Sequence, residues 1–330
     1  MKNKTFALCA LLALVLAFTT PAFSQHIVGF TSLGPTQTKT NGNEIMEVPN
    51  PATNKIYVSD TLAPGTLIVV SGTTHTASSI SFGSGVPIVT VNSTTNTIYA
   101  LSGDQNIYVI DGSADQVIAT IPPVVSDGCL ENVVVDTSSN KLVVLDPCSK
   151  LGYVLDGSSY SLLGTVSMPV TFVFAAAVNP ATHLLYVASD VDHEFVVADL
   201  SAYTSTTVTV PSAWPQSVAI DVTLNRIYMA DDTLSSVYVF DGATNALLTT
   251  LKPGLDPFSV CVNQKNHVVS VSDGYQQIFF YHGFTLAADG VVKFSYPESI
   301  LWFSVNSTNN LYYVGVLPLN SLAFIQGPTS

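Results

Sequence analysis

Seven short segments of this chain share one pattern, a turn residue followed by aliphatic and aromatic strand formers, at intervals of 41 to 44 residues. The segments are Asn54-Lys55-Ile56-Tyr57, Asn96-Thr97-Ile98-Tyr99, Asn140-Lys141-Leu142-Val143, His183-Leu184-Leu185-Tyr186, Asn225-Arg226-Ile227-Tyr228, Asn266-His267-Val268-Val269 and Asn309-Asn310-Leu311-Tyr312. A period of this length, filled with β-formers and turn residues, is typical of repeat proteins whose units are small β-sheets. The pattern therefore predicts seven similar β units.

The stretch from Trp214 to Gly254 shows how one unit is built. It contains four short runs of strand formers: Gln216 to Ile220, Arg226 to Ala230, Val237 to Phe240 and Ala246 to Leu251. Clusters of Asp, Asn, Gly and Thr separate these runs, which is typical of antiparallel hairpins. No segment has the periodicity of an amphipathic helix. Each unit is therefore predicted to be a four-stranded antiparallel blade.

The two ends of the repeat array complement each other. The seventh unit stops at Gln326-Gly327, after its third strand, whereas His26 to Phe30 reads as a strand that has no unit of its own. Pairing of these two segments would complete the last blade and cover two open sheet edges. We therefore predict an all-β, seven-bladed β-propeller of four-stranded antiparallel blades, closed by its N-terminal strand.

The first 24 residues have the features of a secretory signal peptide. Lys2 and Lys4 precede an apolar run from Phe6 to Phe18, and Ala22-Phe23-Ser24 fits a small-x-small cleavage site. We expect residues 1–24 to be removed and residues 25–330 to form a single propeller domain. The mature protein is expected to be secreted or periplasmic.

The charge of the chain limits its partners. Its formal net charge is −13, with 10 basic and 23 acidic residues. Ten basic residues are too few to neutralise a phosphate backbone against this excess of acids. Nucleic-acid binding is therefore not expected. Later segments lack a long unbroken apolar run, so membrane insertion is not expected either. The acidic surface favours cationic partners, and we expect a monomer.

The repeat resembles a known family at three places. Val178-Asn179-Pro180-Ala181-Thr182, the segment from Val48 to Val58, and Tyr108-Val109-Ile110-Asp111-Gly112 are similar to the YVTN-type β-propeller repeat of surface-layer-type proteins. The resemblance covers essentially the whole predicted mature chain. It implies a propeller in an exported bacterial or archaeal protein, with adhesion or binding among the family's roles.

A related class of propellers, the gluconolactonase-like hydrolases, provides an alternative function. These enzymes hold a divalent cation in the central channel, and here Glu131, with Asn132 beside it, is the only charged residue at the predicted channel mouth. The alternative is a metal-dependent hydrolase or lyase with Glu131 as catalytic base. A weak Ca²⁺ site would then consist of Asp190, Asp192, Glu194, Asp231 and Asp232, which lack EF-hand spacing.

The preferred interpretation is a binding or scaffold protein without catalytic activity, because no convergent catalytic set is recognisable. We call top face the side that carries the loops between the second and third strands of each blade and the loops between blades. Candidate ligand-binding residues there are Trp214, Phe258, Tyr275, Tyr296, Glu131 and Asn132. Aromatic rings beside carboxylates suit a protein, peptide or glycan ligand. No cofactor is expected beyond the weak Ca²⁺ alternative.

Other residues have structural interpretations. Cys129 and Cys148 are predicted to form a disulfide in the oxidising exported compartment, and Cys261 is predicted to be buried. The repeated Asp-Gly pairs are interpreted as hairpin turns and the repeated tyrosines as packing between blades. His183 and His267 are expected on the surface.

Overall fold

The structure is a computed structural model that describes residues 26–33, 45–60, 65–85, 88–126, 128–189, 193–210, 214–294, 302–316 and 320–328. The predicted signal peptide, Asp190, Asp192 and Tyr296 lie outside these residues. Among the described residues, no helix has the length and apolar character needed to cross a membrane.

The regular elements of the described residues are 28 β-strands, which are numbered in chain order. The N-terminal strand is β1 (His26–Ser32). Blade 1 contains β2 (Ile45–Asn50), β3 (Lys55–Asp60), β4 (Thr66–Ser71) and β5 (Ala77–Ser81). Blade 2 contains β6 (Ile88–Asn92), β7 (Thr97–Leu101), β8 (Ile107–Asp111) and β9 (Gln116–Ile121). Blade 3 contains β10 (Asn132–Asp136), β11 (Lys141–Asp146), β12 (Leu151–Asp156) and β13 (Leu162–Ser167).

The second half of the chain continues the series. Blade 4 contains β14 (Ala175–Asn179), β15 (Leu184–Ser189), β16 (Glu194–Asp199) and β17 (Thr204–Thr209). Blade 5 contains β18 (Pro215–Asp221), β19 (Arg226–Asp231), β20 (Ser236–Asp241) and β21 (Leu247–Leu251). Blade 6 contains β22 (Val260–Val262), β23 (Val268–Ser272), β24 (Gln277–His282) and β25 (Ala288–Lys293). Blade 7 contains β26 (Phe303–Asn306), β27 (Leu311–Val316) and β28 (Ser321–Gln326).

These strands form seven four-stranded antiparallel sheets in a ring. Each of the first six blades is a meander, and the seventh sheet has the order β1-β28-β27-β26. The first strand of every blade contacts the first strand of the next, and β26 of blade 7 contacts β2 of blade 1. The seven-bladed propeller closed by its N-terminal strand is therefore confirmed.

Burial follows from this arrangement. The second strands, such as β11 and β19, are buried along almost their whole length, whereas the outermost strands β9 and β21 are largely exposed. A middle strand is covered by a neighbouring blade on both faces, so it is apolar throughout rather than alternating. The repeated tyrosines Tyr57, Tyr99, Tyr186, Tyr228 and Tyr312 are fully buried, which confirms their packing role.

The turn between the first and second strand of every blade contains one residue in the left-handed conformation. These residues are Asn54, Asn96, Asn140, His183, Asn225, His267 and Asn310. Asn and His are among the residues that adopt this conformation most readily. In the sixth and seventh blades the turn residue is therefore the second of the pairs Asn266-His267 and Asn309-Asn310.

The side chain of this turn residue joins its blade to the preceding one. It bonds to the last residue of the preceding blade's first strand or, in the case of Asn263, to the residue directly after that strand, and we call each such pair an inter-blade clasp. Five clasps are amide pairs: Asn50–Asn96 (2.7 Å), Asn92–Asn140 (2.8 Å), Asn179–Asn225 (2.9 Å), Asn263–Asn310 (2.7 Å) and Asn306–Asn54 (3.4 Å). Two are Asp–His pairs: Asp136–His183 (2.6 Å) and Asp221–His267 (2.8 Å).

The two kinds of clasp follow one hydrogen-bonding rule. Where Asn ends the first strand, its amide N–H donates to an Asn oxygen. Where Asp takes that place, as at Asp136 and Asp221, the carboxylate can only accept, and the partner is a His ring N–H. His183 and His267 are therefore clasp residues, with exposed side-chain fractions of 36% and 15%. Both side chains stay partly exposed, in line with the expectation that they are surface residues, and they join neighbouring blades in addition.

The Asp-Gly turns have the expected structural role. Asp111, Asp156 and Asp241 each accept two backbone N–H groups from the hairpin that follows, and so does Asp199, which precedes Leu200 at the corresponding place in blade 4. This pattern is an Asx-turn, which stabilises the hairpin between the third and fourth strands.

Candidate functional site

Aromatic rings from blade 4 and from the neighbouring blades 6 and 7 meet at the top of the central channel. The rings come from the residues that lead into the first strands of three blades. Phe174 directly precedes β14 of blade 4, Trp302 directly precedes β26 of blade 7, and Phe258 lies two residues before β22 of blade 6. The ring centroids of Phe174 and Trp302 are 6.1 Å apart, and those of Phe258 and Trp302 are 5.1 Å apart. Because blades 4 and 7 are not neighbours, these rings meet across the channel. They form an apolar cover over its top end, which we call the aromatic cover.

A cavity of about 420 Å³ lies beside the aromatic cover, between blades 5 and 6. It is lined by Asp232, Thr233, Asp256, Phe258, Gly274 and Tyr275. These residues come from the β19–β20, β21–β22 and β23–β24 loops, so three top-face loops contribute to one cavity. Two of the predicted ligand-binding residues, Phe258 and Tyr275, line it together.

Hydrogen bonds fix both the side chain and the backbone of Tyr275. Its hydroxyl donates to Asp256 Oδ2 at 2.7 Å, and Asp273 Oδ1 accepts the backbone N–H of Tyr275 at 2.9 Å. Gly274 has a φ of 70°, and an added Cβ there would lie 3.0 Å from the Asp256 carbonyl oxygen. Glycine therefore allows the close approach that brings Tyr275 to Asp256, although the ring remains 52% exposed.

The cavity is electronegative. Asp232 and Asp256 both line it, and the described residues of its lining include no basic side chain. The hydrogen bond to Asp256 and the negative charge of that residue raise the pKa of the Tyr275 hydroxyl, so it stays a neutral donor. Aromatic surface between two carboxylates can bind a cationic group that carries apolar bulk.

Of the other predicted ligand-binding residues, the structure describes Trp214, Glu131 and Asn132, and these lie outside the cavity. Trp214 is 41% exposed and packs against His193, with ring centroids 5.8 Å apart. It does not line the cavity. Glu131 Oε2 accepts the backbone N–H of Val173 at 2.8 Å, which links blade 3 to the start of blade 4. Asn132 pairs with Leu145 in the sheet of blade 3.

The described members of the predicted Ca²⁺ set have different environments. Asp231 is fully buried and accepts the Leu234 N–H and the Tyr238 hydroxyl, at 3.2 and 3.3 Å. Burial raises the pKa of its carboxyl. Asp232 lines the cavity, and Glu194 begins β16. Among the described residues these three do not bring their ligand atoms together in one group.

Potential metal-ligand atoms do lie close together at the two predicted disulfide cysteines and the neighbouring Asp146. Cys129 and Cys148 form a disulfide with Cα atoms 5.8 Å apart, and Asp146 lies against both sulfurs. Cys261 is half-buried in β22, and burial raises the pKa of its thiol.

Sequence reasoning missed Phe174 and Trp302 as members of the candidate site. Both residues directly precede the first strand of a blade, and Phe258 lies two residues before such a strand. That shared position was the available signal, but the contacts between distant blades are not visible in the sequence. No family model and no curated protein matches this chain.

Proposed function

We propose that this protein is an exported, non-enzymatic binding propeller of the YVTN-repeat type, which captures a cationic peptide segment on its top face. The observation that carries the proposal is the cavity in which Phe258 and Tyr275 lie between Asp232 and Asp256. Rings supply contact area and a cation–π surface, while the carboxylates select for Lys or Arg in the ligand. The net charge of −13 adds long-range attraction for such a ligand.

A binding role is supported over the hydrolase alternative by the position of Glu131. Its carboxylate accepts a backbone N–H of the next blade, so the arrangement favours a structural role for this residue. The exported location and the YVTN assignment are supported by residues 1–24 and by the repeat segments, respectively.

The test is a binding titration with paired synthetic peptides. Each pair has one peptide with Lys or Arg beside an aliphatic residue and one in which Glu replaces the cation. Intrinsic fluorescence is a suitable readout, because Trp302 belongs to the aromatic cover and the chain has 2 Trp residues in total. We expect the cationic peptides to bind and the acidic ones not to bind, with affinity that falls as salt rises.

Variants connect this binding to the cavity. Asp232→Asn and Asp256→Asn should each weaken the affinity by about tenfold, which corresponds to ~1.4 kcal/mol. Asp289→Asn is a matched control, because it removes the same charge from β25 on the outer edge of blade 6. Equal losses in the control and the cavity variants would show that only net charge matters. If instead neutral oligosaccharides bind and only Tyr275→Ala weakens them, the ligand is a glycan.

A further inference from the structure

A second group of functional side chains lies on the top face of blade 3. Cys129 is in the loop before β10, Asp146 ends β11, and Cys148 is in the β11–β12 turn. One potential ligand atom from each residue lies within 4.8 Å of the other two. This group belongs to a different blade from the peptide cavity, so it does not depend on the proposed function.

Asp146 is organised to face the two sulfurs. Its side chain is 1% exposed, and Oδ1 accepts the backbone N–H groups of Cys129, Cys148 and Ser149 at 3.3, 3.0 and 3.3 Å. These bonds hold both cysteine backbones next to the carboxylate whether or not the sulfurs are joined. The other oxygen, Oδ2, is buried and has no hydrogen-bond partner among the described residues. A buried carboxylate oxygen normally has a partner, so this one is available to a ligand.

The surroundings leave room for a bound ion and one further ligand. A cavity of about 500 Å³ adjoins the group and is lined by Val125, Ser126, Gly128, Asp146, Cys148 and Ser149. A Cβ on Gly128 would collide with Val125 Cγ2 and would lie 3.2 Å from Asp146 Oδ2, so glycine keeps a side chain out of the space beside this buried oxygen. Two thiolates and one carboxylate suit a borderline-soft divalent cation such as Zn²⁺, with a fourth position open to water.

We propose that reduction of the Cys129–Cys148 disulfide creates a binding site for a divalent cation of the Zn²⁺ class. The ligands are the two Sγ atoms and Asp146 Oδ2. An external dithiol supplies two electrons and two protons to the disulfide and becomes a disulfide itself. The cation then displaces the two thiol protons. Because a thiolate and not a disulfide sulfur is the metal ligand, the oxidised chain does not bind the ion.

The test uses Cd²⁺ as a spectroscopic probe, in a chain that carries Cys261→Ser so that only this pair supplies thiols downstream of the predicted cleavage site. We expect one Cd²⁺ per reduced chain with a thiolate-to-metal charge-transfer band, displaced by Zn²⁺, and no band in the oxidised chain. Asp146→Asn should weaken the affinity by tenfold or more. Asp104→Asn is the matched control, because Asp104 accepts the Asn106 N–H in the corresponding loop of blade 2 without a nearby cysteine.

Two outcomes of the Cd²⁺ titration would overturn the proposal. One is equal binding by the oxidised and reduced chains, which would assign the ion to surface carboxylates. The other is the lack of a charge-transfer band in the reduced chain. A second readout does not rely on any Asp146 variant: saturating Zn²⁺ should slow re-formation of the disulfide by oxidised glutathione at least tenfold. An unchanged rate would contradict the proposal.

Discussion

The Asp136–His183 clasp gives a quantitative test of how neighbouring blades are held together. Asp136 is fully buried, and its carboxylate accepts five hydrogen bonds: His183 Nδ1 at 2.6 Å, Ser138 N at 3.0 Å, Ser138 Oγ at 2.7 Å, Ser139 N at 3.4 Å and Ser139 Oγ at 2.6 Å. His183→Ala removes the first of these. Breaking a fully buried ion pair costs about 3–5 kcal/mol, but four hydrogen bonds to Asp136 remain here and His183 is partly exposed. We therefore expect a loss of about 1–3 kcal/mol in the free energy of unfolding.

The decisive variant is the double change Asp136→Asn/His183→Asn, which reproduces the amide clasps of the other five junctions. We expect it to recover most of the stability lost in His183→Ala and to lie within about 1 kcal/mol of the wild type, because contacting residues are strongly coupled. The single change Asp136→Asn places an amide against the histidine and is expected to be less stable than the double variant. Urea denaturation at pH 7, with thermal melting as a second probe, measures these differences.

The pH dependence provides an independent check. Burial raises the pKa of the Asp136 carboxyl, but hydrogen bonds from Ser139, His183 and Ser138 outweigh this and hold it below its usual range. A carboxyl with a lowered folded-state pKa stabilises the protein above its unfolded pKa, about 3.9, and loses this contribution as pH falls through the folded value. The double Asn variant lacks that dependence, so the stability of the wild type relative to it should fall below about pH 4. A double variant as unstable as His183→Ala would refute the interchangeability of the two clasps.

Three further predictions concern a buried carboxylate, the disulfide and the N-terminal segment. Glu47 is 6% exposed, neither of its carboxylate oxygens has a hydrogen-bond partner among the described residues, and burial raises its pKa. Because an unpaired buried carboxylate is unfavourable, Glu47→Val should increase the free energy of unfolding at pH 8 by about 1–3 kcal/mol. The stability gained by the variant should shrink as pH falls towards the unfolded-state pKa of Glu, about 4.3, because the buried carboxyl of the wild type becomes protonated and its burial then costs less. Urea titrations in which the variant is less stable than the wild type at pH 8 would contradict this prediction. Replacing Cys129 and Cys148 by Ser, which opens a link of sequence separation 19, should cost about 3 kcal/mol in the same assay. Mass spectrometry of the exported protein should give an N-terminus at Gln25, and retention of residues 1–24 would remove the support for export.

The position of Glu47 illustrates where sequence reasoning was incomplete. The residue three places before the clasp position is Val89, Val133, Ala176, Val218, Val260 or Phe303 in the other blades. Its side chain therefore occupies an apolar position of the repeat, which alignment of the units could have revealed. That its oxygens remain without partners depends on the neighbouring blade, and only the structure shows it.

The candidate site was predictable in part. The sequence predicts Phe258 close to the channel mouth and Tyr275 in a top-face loop, and both residues line one cavity. Trp214 falls in a similar loop but packs against His193. The difference arises from loop conformation, since a loop residue can turn towards the channel or along its own blade without any change in strand pattern.

The number of blades, the order of their strands and the closure by β1 can all be read from the repeat pattern of the chain. Pairing within a blade joins segments a few residues apart, so alternating β-formers and turn residues are sufficient to specify it. Only the tertiary structure decided which side chains meet between blades. His183 reaches Asp136 and Phe174 reaches Trp302 because seven twisted sheets close into a ring of fixed geometry. Such contacts depend on how whole sheets are placed and on side-chain rotamers, and no local pattern in the chain encodes either.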